Sequence, residues 1–211
     1  MNAKRGQENQ KLRAPQGPGR VHQIRIVGGR LRRSRITVLD KPGLRPTPDR
    51  VRETLFNWLG QDLSGWVCID VFAGTGALGL EAASRGARAV TLVDLDPDVC
   101  RHLNKTTSQL GLEQVQVCRG HGLAHLAGLQ AHGQDLVFLD PPFGSGLFEA
   151  SLGQAWRVVK PDGWVYLEAP LAWQEAALAM HGFELYRYLK AGQVHAHLLR
   201  ASHSPQEGVK E

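Results

Sequence analysis

The spacing of hydrophobic and polar residues changes period several times along the chain. From Val21 to Val38, apolar residues (Ile24, Ile26, Leu31, Ile36, Val38) alternate with Arg25, Arg30, Arg32, Arg33 and Arg35 around Gly28-Gly29. A period of two around a glycine pair predicts a β-hairpin with one buried face and exposed arginines. Pro42 to Pro48 reads as a loop. Thr47-Pro48 has the N-cap and N1 chemistry of a helix start, and Val51, Leu55, Trp58 and Leu59 follow at helical spacing. That predicts a helix ending near Gly60 and packing on the main domain.

From Trp66 the pattern alternates between strand and helix. Strands are predicted at 66–71, 89–94, 115–118, 135–139 and 163–168, with helices near 77–85, 97–110, 122–130, 146–159 and 171–180. This alternation is the signature of a doubly wound parallel sheet in an α/β protein. Glu184 to Leu189 and Val194 to Arg200 are joined only by Lys190-Ala191-Gly192-Gln193. Four residues cannot hold a crossover helix, so this pair is predicted to close a seven-stranded sheet as an antiparallel hairpin.

A chain of 211 residues has room for one α/β domain and an appendage. The expected division is a disordered basic tail over 1–20, where Leu12 is the only sizeable apolar residue, a hairpin-and-helix unit over 21–60, a catalytic domain over 61–201 and a flexible tail over 202–211. No apolar run approaches the roughly 20 residues of a membrane span, and the N-terminus lacks a secretory h-region. Cys68, Cys100 and Cys118 are an odd number without CxxC spacing, which argues against a disulfide framework or a zinc site and suits a reducing, cytoplasmic setting. His121 and His125 stand four apart without an evident third ligand, so no metal is expected. His195 and His197 read as surface residues on one face of the last strand.

Charge changes the picture more. Residues 1–52 carry 14 Lys/Arg against 3 Asp/Glu, net +11, and the remainder is net −6. The first 20 residues can be a solvated arm, but from Arg25 onward the basic residues interleave with structured signals and can line a polyanion-binding face.

Two segments carry chemistry. Between the first predicted strand of the main domain and its helix lies Asp70-Val71-Phe72-Ala73-Gly74-Thr75-Gly76-Ala77-Leu78-Gly79. Gly74, Gly76 and Gly79 match GxGxxG, and Asp94 follows 20 positions after Gly74 at the end of the second strand, placed to hydrogen-bond ribose hydroxyls. The spacing alone also admits NAD. Asp70, however, suits a positively charged methionine ammonium and would repel a pyrophosphate on the helix N-terminus. Asp96 with Pro97 is left to start the next helix.

The second segment is Asp140-Pro141-Pro142-Phe143, which ends the buried strand Leu136 to Leu139. An exocyclic amino group on a base is a poor nucleophile because its lone pair is delocalised into the ring. Asp140 carboxylate and the Pro141 carbonyl can each accept one of its N–H groups and aim the lone pair at a methyl donor. The prolines fix φ, and Phe143 offers a flat face for a base drawn out of its stack.

Arg45 to Leu59, Asp70 to Leu80, Asp140 to Phe143 and Lys190-Ala191-Gly192-Gln193-Val194 together resemble the bacterial small-subunit ribosomal RNA guanine-N2 methyltransferases, over about Ile24 to Arg200. The resemblance implies a Rossmann-like, S-adenosylmethionine-dependent methyltransferase fold with an N-terminal hairpin on the RNA side. It also implies a guanine of 16S rRNA, within the small subunit or an assembly intermediate, as substrate; the enzyme is expected to be a monomer. Donor contacts are then expected from Asp70, Phe72, Ala73, Gly74, Gly76, Gly79, Asp94 and Leu95, catalysis from Asp140, Pro141 and Phe143, and RNA contacts from Arg25, Arg30, Arg32, Arg33, Arg35 and Arg45. The third strand departs from the family pattern. Where relatives carry Asp or Asn for the adenine amino group, this chain has Gly120-His121-Gly122, and His121 accepts that bond only through an unprotonated ring nitrogen. An adenine-N6 methyltransferase, a non-catalytic ribosome-assembly factor and an NAD-dependent oxidoreductase remain as rival readings.

Overall fold

The computed structural model describes residues 23–41, 44 and 46–202. The stretches 1–20 and 203–211, expected to be tails, and Arg45 lie outside the described residues.

The alternating segment forms the hairpin: β1 (Gln23–Arg25) pairs antiparallel with β2 (Arg35–Thr37), Ile24 opposite Ile36. Ile24, Ile26, Ile36 and Val38 are buried, and Arg25, Arg30, Arg32, Arg33 and Arg35 are exposed. Helix α1 (Asp49–Trp58) follows and buries Val51, Leu55 and Phe56. Next come β3 (Val67–Asp70), α2 (Ala77–Ser84), β4 (Ala89–Asp94), α3 (Pro97–Gln109), β5 (Val115–Arg119), α4 (Gly122–Gly128), β6 (Gln134–Leu139), α5 (Phe148–Val158), β7 (Val159–Ala169), α6 (Glu175–Met180), β8 (Phe183–Ala191) and β9 (Val194–Ala201). β7 starts earlier than its apolar run suggested, because Val159 already pairs with Gln134 before an irregularity resets the register at Leu136 and Trp164.

The seven-stranded sheet has the order β5-β4-β3-β6-β7-β9-β8. β3 to β7 run parallel, while β9 is antiparallel to both β7 and β8. Strand alternation divides the core into two layers. Cys68, Leu136, Phe138, Tyr166 and Leu198 pack with the hairpin, α1 and α2 on one face. Ile69, Val137, Leu139, Val165, Leu167 and Leu199 pack with α4, α5 and α6 on the other. Among the described residues no helix is long and apolar enough to cross a membrane.

Every residue of α2 is buried, as expected of a helix covered on both sides, here by the sheet and the hairpin. The cover is close. Gly29 adopts φ +70°, and a Cβ there would lie 2.1 Å from the Ser84 carbonyl oxygen. The Arg30 amide donates to that same oxygen at 2.7 Å. Glu81, at 0% exposure, accepts from the amides of Val27 and Gly28 at 2.9 and 2.7 Å. It also pairs with the buried guanidinium groups of Arg52 at 3.1 Å and Arg85 at 3.0 Å.

Removing one partner of a buried ion pair leaves the others uncompensated, at a cost of about 3–5 kcal/mol. Glu81→Ala is therefore expected to lower the free energy of urea unfolding by about that amount and to open the hairpin to limited proteolysis. A change below about 1 kcal/mol with unaltered protease resistance would show that the cluster contributes nothing.

Candidate active site

Side chains at the carboxyl ends of the parallel strands, and the loops that follow them, enclose a cavity of about 720 Å³. Its wall is built from Phe72 and Gly74 after β3, Asp94 and Leu95 at β4, Gly120 to Leu123 after β5, Asp140 to Phe143 after β6 and Glu168 near the end of β7. The loop before α1 closes it with Leu44, Pro46, Thr47 and Pro48. The open end of a doubly wound sheet is where ligands of this architecture bind.

The glycine loop divides into a wall and a foundation. Gly74 lies in the wall, and its amide donates to Asp94 Oδ2 at 2.9 Å. The other Asp94 oxygen accepts from the Asp96 amide at 2.8 Å, so the carboxylate is fixed and keeps lone pairs for a ligand. Asp96 caps α3 as expected, accepting from the amides of Asp98 and Val99. Ala73, Gly76 and Gly79, expected to meet the donor, are not in the wall. Gly76 holds the left-handed N-cap of α2 at φ +75°, and a Cβ on Gly79 would sit 2.2 Å from Leu92 Cδ2. Their glycines let the loop turn and α2 lie on β4.

Asp70, one residue before the lining residue Val71, is buried. Its Oδ2 accepts the Gly79 amide at 3.2 Å, a first-turn donor of α2 that a pyrophosphate would otherwise use. Thr75 Oγ1 likewise takes the Ala77 amide at 3.3 Å. Asp70 Oδ1 has no hydrogen-bond partner among the described residues. Burial, above all, with the charges of Asp94 and Glu168, pushes Asp70 up to about 7, against the pull of the Gly79 bond. A buried carboxylate with an orphaned oxygen fits a cationic ligand, and the chemistry of this wall fits an aminoacyl nucleoside such as S-adenosylmethionine. His121 caps α4 from the wall by its backbone conformation, without a side-chain cap bond.

Asp140 continues the alternation of Leu136 and Phe138 and so faces the α1 layer, as Asp70 does. Burial first, then Glu168 and Asp70, raises its proton affinity well above that of an ordinary carboxylate. Pro141 and Phe143 share the wall, Phe143 at 49% exposure. Among the described residues no group of three His, Cys, Asp or Glu is placed to hold a metal ion.

Two further residues differ from expectation. Thr47 does not cap α1; Pro48 occupies the N-cap, and the Thr47 hydroxyl donates to Glu168 Oε1 at 2.9 Å. His197 is not a surface residue but is fully buried, with Nε2 accepting the Trp173 amide at 3.1 Å and Nδ1 3.3 Å from the Leu167 carbonyl. The segment leading into α6 covers it. Glu168 was not singled out from sequence, although it closes the apolar run Trp164 to Leu167 as Asp70 and Asp140 close theirs.

The sheet order, its antiparallel last strands and a cavity floored by strand-end carboxylates define the class of Rossmann-like methyltransferase folds. A family profile described as Conserved hypothetical protein 95 matches residues 24–200. The ribosomal RNA small subunit methyltransferase D of Escherichia coli strain K12 is 44% identical over 147 residues, 70% of this chain and 72% of that protein. Its Haemophilus influenzae counterpart is 40% identical over 165 residues, 75% of this chain and 83% of that one. The chain belongs to the family of these small subunit methyltransferase D proteins. The solved structure of Escherichia coli yhhF matches with a TM-score of 0.75 at 37% identity, covering 87% of this chain and 100% of the other. TYW2 of M. jannaschii, solved in complex with AdoMet, shares the fold at a TM-score of 0.56 and 14% identity, covering 79% of this chain and 80% of that chain.

Asp70 favours its protonated form when folded, so the wild type loses stability as pH rises from about 4, where the unfolded carboxyl ionises, to about 7. Asp70→Asn is expected to be more stable than wild type at pH 8, by about 2–4 kcal/mol, and indistinguishable at pH 4. It should also bind S-adenosylmethionine about tenfold or more weakly by calorimetry. Unchanged affinity would remove Asp70 from the donor site.

Proposed function

We propose that the protein transfers a methyl group from S-adenosylmethionine to the exocyclic N2 of one guanine in the RNA of the small ribosomal subunit. One observation carries the reading: the Gly74–Asp94 wall and Asp140-Pro141-Pro142-Phe143 bound a single cavity, so a donor site and an amino-group acceptor site open into each other. The relatives named ribosomal RNA small subunit methyltransferase D support the substrate class.

When bound, S-adenosylmethionine supplies a methyl group on a positively charged sulfonium. Asp70 Oδ1 would accept from its ammonium and Asp94 from its ribose hydroxyls, and Phe72, Leu95 and His121 would enclose the adenosine. Phe143 stacks on the extruded base. Asp140 and the Pro141 carbonyl accept the two N–H groups and turn the nitrogen lone pair toward the methyl group. The donor's S–C bond would break as the N–C bond forms, the electron pair staying on sulfur as the neutral thioether of S-adenosylhomocysteine, and the positively charged nitrogen would then lose a proton. A carboxylate whose proton affinity is raised by burial is suited to take it.

The hairpin supplies the grip on RNA. Arg30, Arg32 and Arg33 are exposed and form no ion pair among the described residues. Arg25 faces Asp49 at 3.6 Å, and Arg35 lies 3.5 Å from the Gln23 amide oxygen. Arg45 is proposed as a further RNA contact from sequence and lies outside the described residues.

Incubation with tritiated methyl donor and small-subunit particles, naked rRNA or DNA, followed by digestion to nucleosides, tests the reading. Labelled N2-methylguanosine from particles or rRNA is expected; label in N6-methyladenosine, or in DNA alone, overturns it. Asp140→Ala should lower the single-turnover rate about 10²–10³-fold while donor affinity stays close to wild type. Near-normal turnover would exclude Asp140 from the mechanism.

Each phosphate neutralised contributes roughly 0.7–0.9 to the slope of log affinity against log salt. Replacing Arg30, Arg32, Arg33 and Arg35 by Gln is expected to flatten that slope by about 3 for particle binding and to raise KM for particles, leaving donor affinity unchanged. An unaltered slope would assign RNA recognition to other surfaces.

A further inference from the structure

The carboxylates that end β3 and β6 have work in the reaction above; the one near the end of β7 has none. Glu168 is 3% exposed and lies in the cavity wall. Both hydrogen bonds it receives go to the same oxygen, Oε1, from Tyr166 Oη at 2.8 Å and Thr47 Oγ1 at 2.9 Å. Oε2 has no hydrogen-bond partner among the described residues. The registered pairing of β6 with β7 ends at Leu139 and Leu167. Asp140 and Glu168 are therefore the next residues on adjacent strands, on one face of the sheet, with backbones roughly 5 Å apart. Neither forms an ion pair among the described residues. A buried carboxylate beside a half-buried one is repelled by it, and the pair calls for donors from a ligand.

The candidate bases differ at this point. Beside its amino group guanine carries N1–H, a second donor. Adenine and cytosine carry a bare ring nitrogen there, whose lone pair would face the carboxylate. An acceptor next to the one that holds the amino group is thus met by a donor only in guanine, and a buried acceptor left unmet is costly.

We infer that Glu168 is the specificity-determining residue of the site, its Oε2 accepting N1–H of the guanine whose N2 amino group lies on Asp140, with Thr47 and Tyr166 positioning it. Burial raises the proton affinity of Glu168 overall, and the hydroxyls of Tyr166 and Thr47 act against that shift, toward the ionised carboxylate that accepts; a donor from the base at Oε2 adds to their effect. The inference rests on the methyl-transfer reading above and adds base identity to it, which Asp140 to Phe143 do not encode.

The test uses small-subunit particles assembled on transcripts in which the acceptor guanosine, mapped with the wild type, is replaced by 2-aminopurine. That base keeps the amino group and presents a lone pair at N1. The wild type is expected to prefer guanosine about 10–100-fold in kcat/KM. In Glu168→Gln the two hydroxyls retain the amide oxygen and turn the NH2 toward the base, so the preference should collapse or reverse. Thr47→Val keeps the carboxylate but frees its orientation and should narrow the preference severalfold; it carries the test if Glu168→Gln does not bind the donor with wild-type affinity. A merely structural role would slow both substrates by the same factor, and an unchanged ratio in the folded variants overturns the inference. If the wild type places no methyl group on guanosine N2, the methyl-transfer reading falls first and this inference with it; if it does and the ratio is unmoved, only the role of Glu168 falls.

Discussion

The buried negative charge of Glu81 is the constraint on which the rest of the structure turns. A carboxylate in the middle of a helix that is covered on all sides cannot be left alone. It is met by two backbone amides of the hairpin, by Arg52 of α1 and by Arg85 at the C-cap of its own helix. Three segments that share little sequence proximity are thereby fixed to one atom group. Arg52 extends the network, with Nε donating to the Thr47 carbonyl at 3.1 Å and Nη2 to the Arg25 carbonyl at 2.8 Å. The Thr47 hydroxyl in turn reaches Glu168. A continuous set of hydrogen bonds thus runs from the arginine-bearing hairpin to the cavity floor, and the position of the proposed RNA grip is tied to that of the acceptor site.

The same molecule that neutralises Glu81 so thoroughly leaves its cavity carboxylates exposed to one another. Asp140 and Glu168 in the wall, and Asp70 buried next to the lining residue Val71, lie at the carboxyl ends of three adjacent strands on the same face, without a cation among the described residues to balance them. Each has its proton affinity raised, with burial the largest cause. Strain of this kind, tolerated at one place and removed at another, is the pattern expected where a ligand is meant to supply the missing partners. A cationic donor and a base rich in N–H groups are complementary to it. Phe56, Phe138 and Tyr166, with ring centroids 6.2 and 6.3 Å apart, form a buried aromatic row in the same core layer.

Much of this was legible along the chain. Alternation of strand and helix fixed the doubly wound sheet, and a four-residue link fixed the antiparallel ending, because a strand's period and a connection's length are properties of the segment itself. Asp94 and Asp140 stood out because each acid closes an apolar run, and the hairpin showed its exposed arginines through a period of two. Other positions depended on what comes to lie across from them. Thr47 has the local chemistry of a helix cap, and only the arrival of β7 beside it gives its hydroxyl a stronger partner in Glu168. His197 looks like an exposed strand residue until β8 folds outside β9 and Trp173 closes over it. Gly76 and Gly79 match a ligand-binding spacing, yet the space they clear is filled by Leu103 and Leu92 of this chain. Sequence by itself determined the elements, their order and several of the side chains that line the cavity. The tertiary structure decided which strand ends become neighbours, and so which carboxylates share a cavity, because burial and like-charge proximity arise between segments far apart in the chain.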